Sequence, residues 1–285
     1  MLYRKSPLNY IGGKYKQLPK IMHFFPKKIN IMYDLFAGGC DVCTNIAANS
    51  IYANDINFFV IDIYRAFQNL TIHELLNSID GIISQWNLSM NNENAYISFR
   101  KHYNSVPVEE RNPIELYVLV CYSFNYQFRF NNNREFNNPF GRSRSSFNSK
   151  MRENLIHFHS KLTDIHFLSE NFHDIDLNFL RTGDFLYADP PYRITTASYN
   201  DGRRGFKGWT LEDDLFLFEL LDRLDRQGVK FALSNVTEHK GDRNEELMKW
   251  KQKYHTHRIN YNYNNSNYQA KNTELITREV LITNY

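Results

Sequence analysis

Gly183-Asp184-Phe185-Leu186-Tyr187-Ala188-Asp189-Pro190-Pro191-Tyr192 is the stretch that decides the reading of the fold. Phe185 to Ala188 form an apolar run of strand length, and the two prolines that follow Asp189 end it, because proline cannot donate to a ladder and forces the preceding residue into an extended conformation. A buried strand therefore delivers Asp189 to its carboxyl edge, the edge at which open α/β sheets bind ligands. Pro190 and Pro191 hold φ nearly fixed, so the carbonyls of Asp189 and Pro190 point in set directions beside a carboxylate and the Tyr192 ring. Such a cluster of acceptors next to an aromatic plate suits a planar ligand bearing an amino group. In isolation the same tetrapeptide would read as a strand-end turn with a surface aspartate, so the rest of the chain has to carry the argument.

Two further segments supply the first half of a nucleotide-binding unit. Ile29 to Phe36 reads as a strand, Ala37-Gly38-Gly39-Cys40 as a glycine turn, and Asp41 to about Ala48 as a helix. Ile51 to Asn54 is a second short strand, with Asp55 about 20 residues after the first, where an acidic side chain can take the two hydroxyls of a ribose. No third glycine is present to make room for a pyrophosphate, so an adenosine ligand without phosphates fits better than a dinucleotide. Ahead of these lies Pro7-Leu8-Asn9-Tyr10-Ile11-Gly12-Gly13-Lys14, a loop preceding a helix expected from about Lys14 to Phe25. Its Gly-Gly-Lys lacks the spacing and the hydroxyl residue of a phosphate-binding loop.

From Phe58 to Phe124 apolar periodicity predicts helices at Phe58–Phe67, Ile72–Trp86, Asn94–Tyr103 and Pro113–Phe124. Gln127 to Phe136 then reads as a hairpin around an asparagine turn, and a further helix runs from Met151 to Leu162. Strands at Ile165–Leu168, Phe185–Ala188, Val229–Asn235, Arg258–Tyr263 and Leu275–Thr283, with a helix at Leu211–Leu224, complete the chain, and Asn260 to Asn267 reads as a mobile loop. The pattern is that of an α/β protein, a Rossmann-like sheet with an inserted helical domain carrying a β-hairpin. The expected boundaries are 1–57 with 163–285 for the sheet domain and 58–162 for the insertion.

Composition narrows the partners. With 34 basic against 31 acidic residues in 285, the net charge of +3 does not by itself point to nucleic acid. Its distribution does, since Arg129, Arg134, Arg142, Arg144, Lys150 and Arg152 face a single acid, Glu135, across the hairpin region, a footprint for phosphates. Arginine and asparagine, abundant there, are also the side chains that read guanine and adenine edges bidentately. No stretch approaches the ~20 apolar residues of a membrane span, and Met1 to Pro7 has no signal-peptide character, so a cytoplasmic protein is expected. Cys40-x-x-Cys43 has no second pair, and with Cys121 it reads as packed, reduced thiols rather than a metal site.

Taken together, Tyr10-Ile11-Gly12-Gly13-Lys14, Asp34-Leu35-Phe36-Ala37-Gly38-Gly39, Ala53-Asn54-Asp55-Ile56, Asn138-Pro139-Phe140-Gly141, Gly183 to Tyr192 and Leu233-Ser234-Asn235 resemble the Dam-type DNA adenine-N6 methyltransferases of the D12 class, most closely in the wording of their T-even phage branch. The resemblance runs from Tyr10 to about Asn284. It implies S-adenosyl-L-methionine as methyl donor, with Tyr10, Lys14, Asp34, Phe36, Gly38, Asp55 and Asp189 lining its site, and Asp189, Pro190, Pro191 and Tyr192 as the catalytic motif. It implies double-stranded DNA as partner, contacted by Arg129, Asn131, Asn132, Arg134, Arg142 and Arg144, with no metal and no obligatory protein partner. GATC is the site expected from resemblance. Two departures stand out: Cys40 follows Gly38-Gly39 where many relatives have Phe-x-Gly-x-Gly, and Arg142-Ser143-Arg144 follow Pro139-Phe140-Gly141 without a clear family counterpart. Protein-glutamine and RNA methyltransferases more often carry Asn at the position of Asp189.

Overall fold

The computed structural model describes residues 3–195, 208–259 and 277–285. Strands β1 (Ile31–Asp34), β2 (Ser50–Asn54), β3 (Ile165–Leu168), β4 (Phe185–Ala188), β5 (Lys230–His239), β6 (Asp242–Arg243), β7 (His255–Ile259) and β8 (Thr277–Thr283) join in one sheet. Its order is β3-β2-β1-β4-β5-β8-β7, with β6 paired to β5 off this path. β1 to β5 run parallel, with Tyr33 opposite Tyr52 and Leu186, and β8 enters antiparallel between β5 and β7. Strands covered on both faces are apolar throughout rather than alternating, as in β4, where all four residues are buried.

The two faces bury separate clusters. Tyr33, Leu186, Phe231 and Leu233 pack with Leu217, Leu221 and Leu224 of α7 (Leu211–Arg226) and with Leu247 and Trp250 of α8 (Glu245–Trp250). Met32, Phe185, Tyr187 and Leu281 face the other way. They share a cluster with the helices between β2 and β3: α2 (Phe58–Gln68), α3 (Ile72–Gln85), α4 (Glu93–Ser105), α5 (Pro113–Tyr122) and α6 (Ser149–His159). α5 is the axis of this layer, its residues from Leu116 to Tyr122 all being buried. Sequence order reverses between β1 and β4, whose neighbours lie on opposite sides, and a crevice opens at the carboxyl ends of strands at such a reversal.

Three expected elements differ. The helix expected from Lys14 to Phe25 is reduced to α1 (Leu18–Ile21) and a 3₁₀ turn at Met22–Phe24, because the residues ahead of it form turns and Pro19, which a longer helix could not hold in its interior, falls in its first turn. In place of a helix from Asp41 to Ala48 there is only a 3₁₀ turn at Cys43–Asn45. Here tertiary contacts override propensity: the Asp41 carboxylate accepts from the amides of Ser6 and Tyr15, and the Asn45 amide group is exchanged with the backbone of Arg4. The hairpin closes through one bridge, Phe130 to Phe136, around a turn in which Arg134 takes a left-handed φ of +60°. The other expected helices and strands are found within a few residues of their places, α8 and β6 have no counterpart among the expected elements, and the loop expected at Asn260–Asn267 lies outside the described residues.

Candidate active site

A cleft of about 440 Å³ opens at the reversal point, between the carboxyl ends of β1, β2 and β4. β1 brings Asp34 to its floor. This side chain is 1% exposed, and its Oδ1 has no hydrogen-bond partner among the described residues. Burial, reinforced by the charge of Asp189, pushes its carboxyl well above the usual range. A backbone hydrogen bond from Cys43 pulls the other way, yet ionising this carboxyl stays costly unless something cationic meets it.

The glycine turn after β1 is built around two neighbours. Asp55, at the end of β2, accepts from the Gly38 amide through Oδ2 and from the Asn57 amide through Oδ1, both at 2.8 Å. Gly38 has a φ of +47°, and a Cβ there would lie 2.9 Å from the Tyr10 ring, so only glycine allows Tyr10 to close over the turn. Tyr10 in turn receives a hydrogen bond from Asn57 Nδ2 (3.2 Å). Opposite, Phe36, Phe172 and Trp209 form an aromatic wall with ring centroids 5.1–5.5 Å apart. Trp209 is fixed by its indole N–H on the buried Asp214 carboxylate (2.8 Å).

The motif Asp189-Pro190-Pro191-Tyr192 closes the floor beside Asp34. Lys14 Nζ lies 2.7 Å from Asp189 Oδ2 and donates to the Tyr192 hydroxyl at 2.9 Å. That hydroxyl is 2.8 Å from Asp189 Oδ1 and 3.1 Å from Glu279 Oε1. Burial, joined by the two neighbouring carboxylates, pushes the Tyr192 phenol well up, so it remains a hydrogen donor. Burial also raises the Asp189 carboxyl, against the pull of Lys14 and of the Tyr192 hydroxyl.

The structure thus brings together every expected donor-site residue: Tyr10, Lys14, Asp34, Phe36, Gly38, Asp55 and Asp189 all line one cleft with Pro190, Pro191 and Tyr192. The six residues expected on DNA stand outside it. Arg129, Asn132, Arg134, Arg142 and Arg144 are exposed. Asn131 spends its side chain on the turn, accepting from the amides of Asn133 and Glu135 and donating to the Glu135 carboxylate. Arg142 pairs with Glu93. The segment reaches the cleft through Phe128, whose ring lies 6.3 Å from that of Tyr10, while Asn9 Nδ2 donates to Asn125 O at 2.9 Å.

Residues 10–265 match the D12 class N6 adenine-specific DNA methyltransferases. The chain belongs to that family. Among curated relatives it is 48% identical to the modification methylase StsI of Streptococcus sanguinis and 45% identical to the type II methyltransferase M.FokI of Planomicrobium okeanokoites, each over 99% of its own length and 43% of theirs. It spans less than half of either relative. The DNA adenine methylase of Escherichia coli (strain K12) is 26% identical over 82% of each chain. Sequence reasoning missed Asp41, Phe128, Phe172 and Trp209, which line this cleft, and Glu279, which meets Tyr192 and Lys14. The signal for Glu279 was present, as a lone acid opening the apolar run Val280-Leu281-Ile282 of β8. The other four sit in loops, where no periodicity marks a buried side chain.

Proposed function

We propose that the chain transfers a methyl group from S-adenosylmethionine to the N6 nitrogen of an adenine flipped out of double-stranded DNA. The observation that carries this reading is the placement of Asp189-Pro190-Pro191-Tyr192 in a cleft that Asp34 and Asp55 also line. The lining fits that donor. Asp34 offers an unsatisfied carboxylate oxygen to a cationic ligand. Asp55 stands at the strand end suited to ribose hydroxyls, and Phe36, Phe172 and Trp209 offer an aromatic slot for a purine. When bound, S-adenosylmethionine supplies an electrophilic methyl group on a sulfonium that is already an excellent leaving group.

The work left to the protein is to make N6 nucleophilic and to aim it. Its lone pair is delocalised into the purine ring. Asp189 and the Pro190 carbonyl accept the two N6 hydrogens, draw the nitrogen towards tetrahedral geometry and stabilise the charge that develops on it, an effect that is large in a dry site. The Tyr192 ring stacks on the extruded base, which must leave the duplex for its N6 to be reached. In this reading 58–162 is the recognition domain and 1–57 with 163–285 the donor-binding domain. Arg129, Asn132, Arg134, Arg142 and Arg144 face the duplex, and Asn131 shapes the turn that presents them.

The names of two relatives, one a modification methylase and the other a type II methyltransferase, favour a role within a restriction system over the phage or orphan roles that the Dam resemblance also admits. Tritium transfer from labelled donor to DNA, followed by sequencing of modified bases, tests the reading. N6-methyladenine within one short sequence supports it, and GATC is the first site to examine. Absence of transfer to any duplex would overturn it.

A further inference from the structure

Glu279 lies beneath the catalytic motif, in a strand otherwise apolar from Val280 to Ile282, and is 2% exposed. A buried carboxylate is costly unless its charge is used or well compensated. Gln17 Nε2 holds its Oε2 at 2.8 Å, which leaves Oε1 directed at Lys14 Nζ (3.8 Å) and at the Tyr192 hydroxyl (3.1 Å). That hydroxyl has a single hydrogen and two carboxylates within reach, Asp189 Oδ1 and Glu279 Oε1.

We infer that Glu279 is a positioning residue that takes over the Tyr192 hydroxyl, and a share of the Lys14 charge, when Asp189 turns to the target amine. The inference rests on the proposed role of Asp189 in accepting the N6 hydrogens. Rotation about one C–O bond moves the Tyr192 hydrogen from Asp189 to Glu279 and releases an Asp189 lone pair with no heavy atom displaced. The negative charge of Glu279 also keeps Lys14 from being neutralised by Asp189 alone, so Asp189 keeps its strength as an acceptor. Without Glu279 the hydroxyl and the ammonium would both settle on Asp189, in competition with the adenine.

Glu279→Gln tests this by keeping the shape and removing the charge. We expect single-turnover methyl transfer to fall by at least about tenfold, on the scale of losing one preorganised electrostatic contact, with the donor dissociation constant by calorimetry unchanged. The acid limb of the rate–pH profile should move to lower pH. Asp189 acts as the carboxylate, and losing a neighbouring negative charge lowers its pKa, while Lys14, Tyr192, Asp34 and Tyr187 still face it. A wild-type rate, or a reduced rate with an unmoved acid limb, overturns the inference, the latter by reducing Glu279 to a structural role. Should the variant not fold with Lys14 short of a counter-charge, Lys14→Met and Lys14→Met/Glu279→Gln make the same comparison. The double variant should show the lower acid limb, and equal limbs overturn the inference. Wild-type protein assayed alongside separates the two readings, since a wild type without transfer removes the proposed function itself and this inference with it.

Discussion

Two regions of the molecule carry its chemistry in opposite ways. At the cleft floor, Lys14, Asp189, Tyr192 and Glu279 come from a loop, a strand end and a distant strand, and each holds the next within 2.7–3.8 Å. In the segment from Gln127 to Arg144 the arginines are exposed, Asn131 serves its own turn, and Asn138, Arg142 and Ser143 tie the segment to Ser123, Glu93 and Asn91. The first region is preorganised, so losing one member should cost activity and little stability. The second is a surface whose arginines are exposed, with Arg142 in an ion pair on Glu93, so its losses should be smaller and dependent on the DNA sequence offered.

The largest expected effect is at Asp189. Asp189→Ala removes the acceptor while leaving Lys14 beside Glu279, so the chain should fold yet lose roughly 10²–10³-fold or more in transfer rate. Rapid-quench assays would show it, and near-normal turnover would take the motif out of the mechanism. Asp34 sharpens the comparison from the other side, because it separates stability from binding. Its folded-state carboxyl is raised by burial and by Asp189, so the folded protein holds a proton that the unfolded chain has released. Stability therefore falls as pH rises from the ordinary carboxylate range through the raised value. Asp34→Asn should reduce that slope, leaving the part due to other raised carboxyls such as those of Asp41 and Asp189, and raise Tm at neutral pH by about 2–4 °C for each ~1 kcal/mol recovered. It should also weaken donor binding by roughly 1–3 kcal/mol. A lower Tm would show that burying the Asp34 carboxyl is not costly, and unchanged affinity by calorimetry would show that it does not meet the donor.

Asp55→Ala should weaken the donor by about 1–3 kcal/mol, the range for a hydrogen bond to a charged group. Because Asp55 also accepts from the amides of Gly38 and Asn57, part of that loss would come from a loosened turn. The conservative Asp55→Asn separates the two contributions. It retains an acceptor for one of the two amides, so it should bind donor better than the alanine variant, and equal affinities would assign the whole effect to the lost charge.

What could be read in the sequence follows the same division. The sheet was legible because β1, β4 and β5 are buried on both faces and announce themselves as apolar runs ending at Asp34, Asp189 and Asn235. The helices of the insertion were legible from their periodicity. The helix expected at Asp41 was not there, because propensity cannot foresee that a side chain will turn inward to clamp Ser6 and Tyr15, residues 35 and 26 positions away. Glu279 was missed for a related reason: it meets Gln17 across 262 residues, and no local pattern couples those two positions. Local signals name the residues that do chemistry, and long-range contacts decide which others hold them.

The smallest effects belong to the arginines of the reader segment, where they discriminate most finely. Arg142 already has a partner, Glu93, in an ion pair exposed on both sides, and such pairs contribute about 0–1 kcal/mol. Arg142→Ala should therefore leave stability nearly unchanged, and any effect on DNA must outweigh the loss of that pair. Arg129 is flanked by the buried rings of Phe128 and Phe130, so its backbone is anchored close to the cleft while its side chain is exposed. Arg144 is anchored through its carbonyl, which accepts from the Tyr126 hydroxyl at 3.0 Å. A base-reading arginine changed to alanine should cost about 1–3 kcal/mol on the cognate site and relax discrimination at one base pair. A phosphate-contacting one should weaken all sequences alike and lower the salt slope by about 1. Anchoring beside the cleft makes Arg129 our choice for the first kind, and its existing ion pair makes Arg142 our choice for the second. Methylation rates on single-base variants of the mapped site, taken for each mutant at two salt concentrations, would decide between them. If all three mutants kept the wild-type ranking of sites, this surface would position DNA without reading it, and discrimination would have to be sought among other side chains at the cleft mouth.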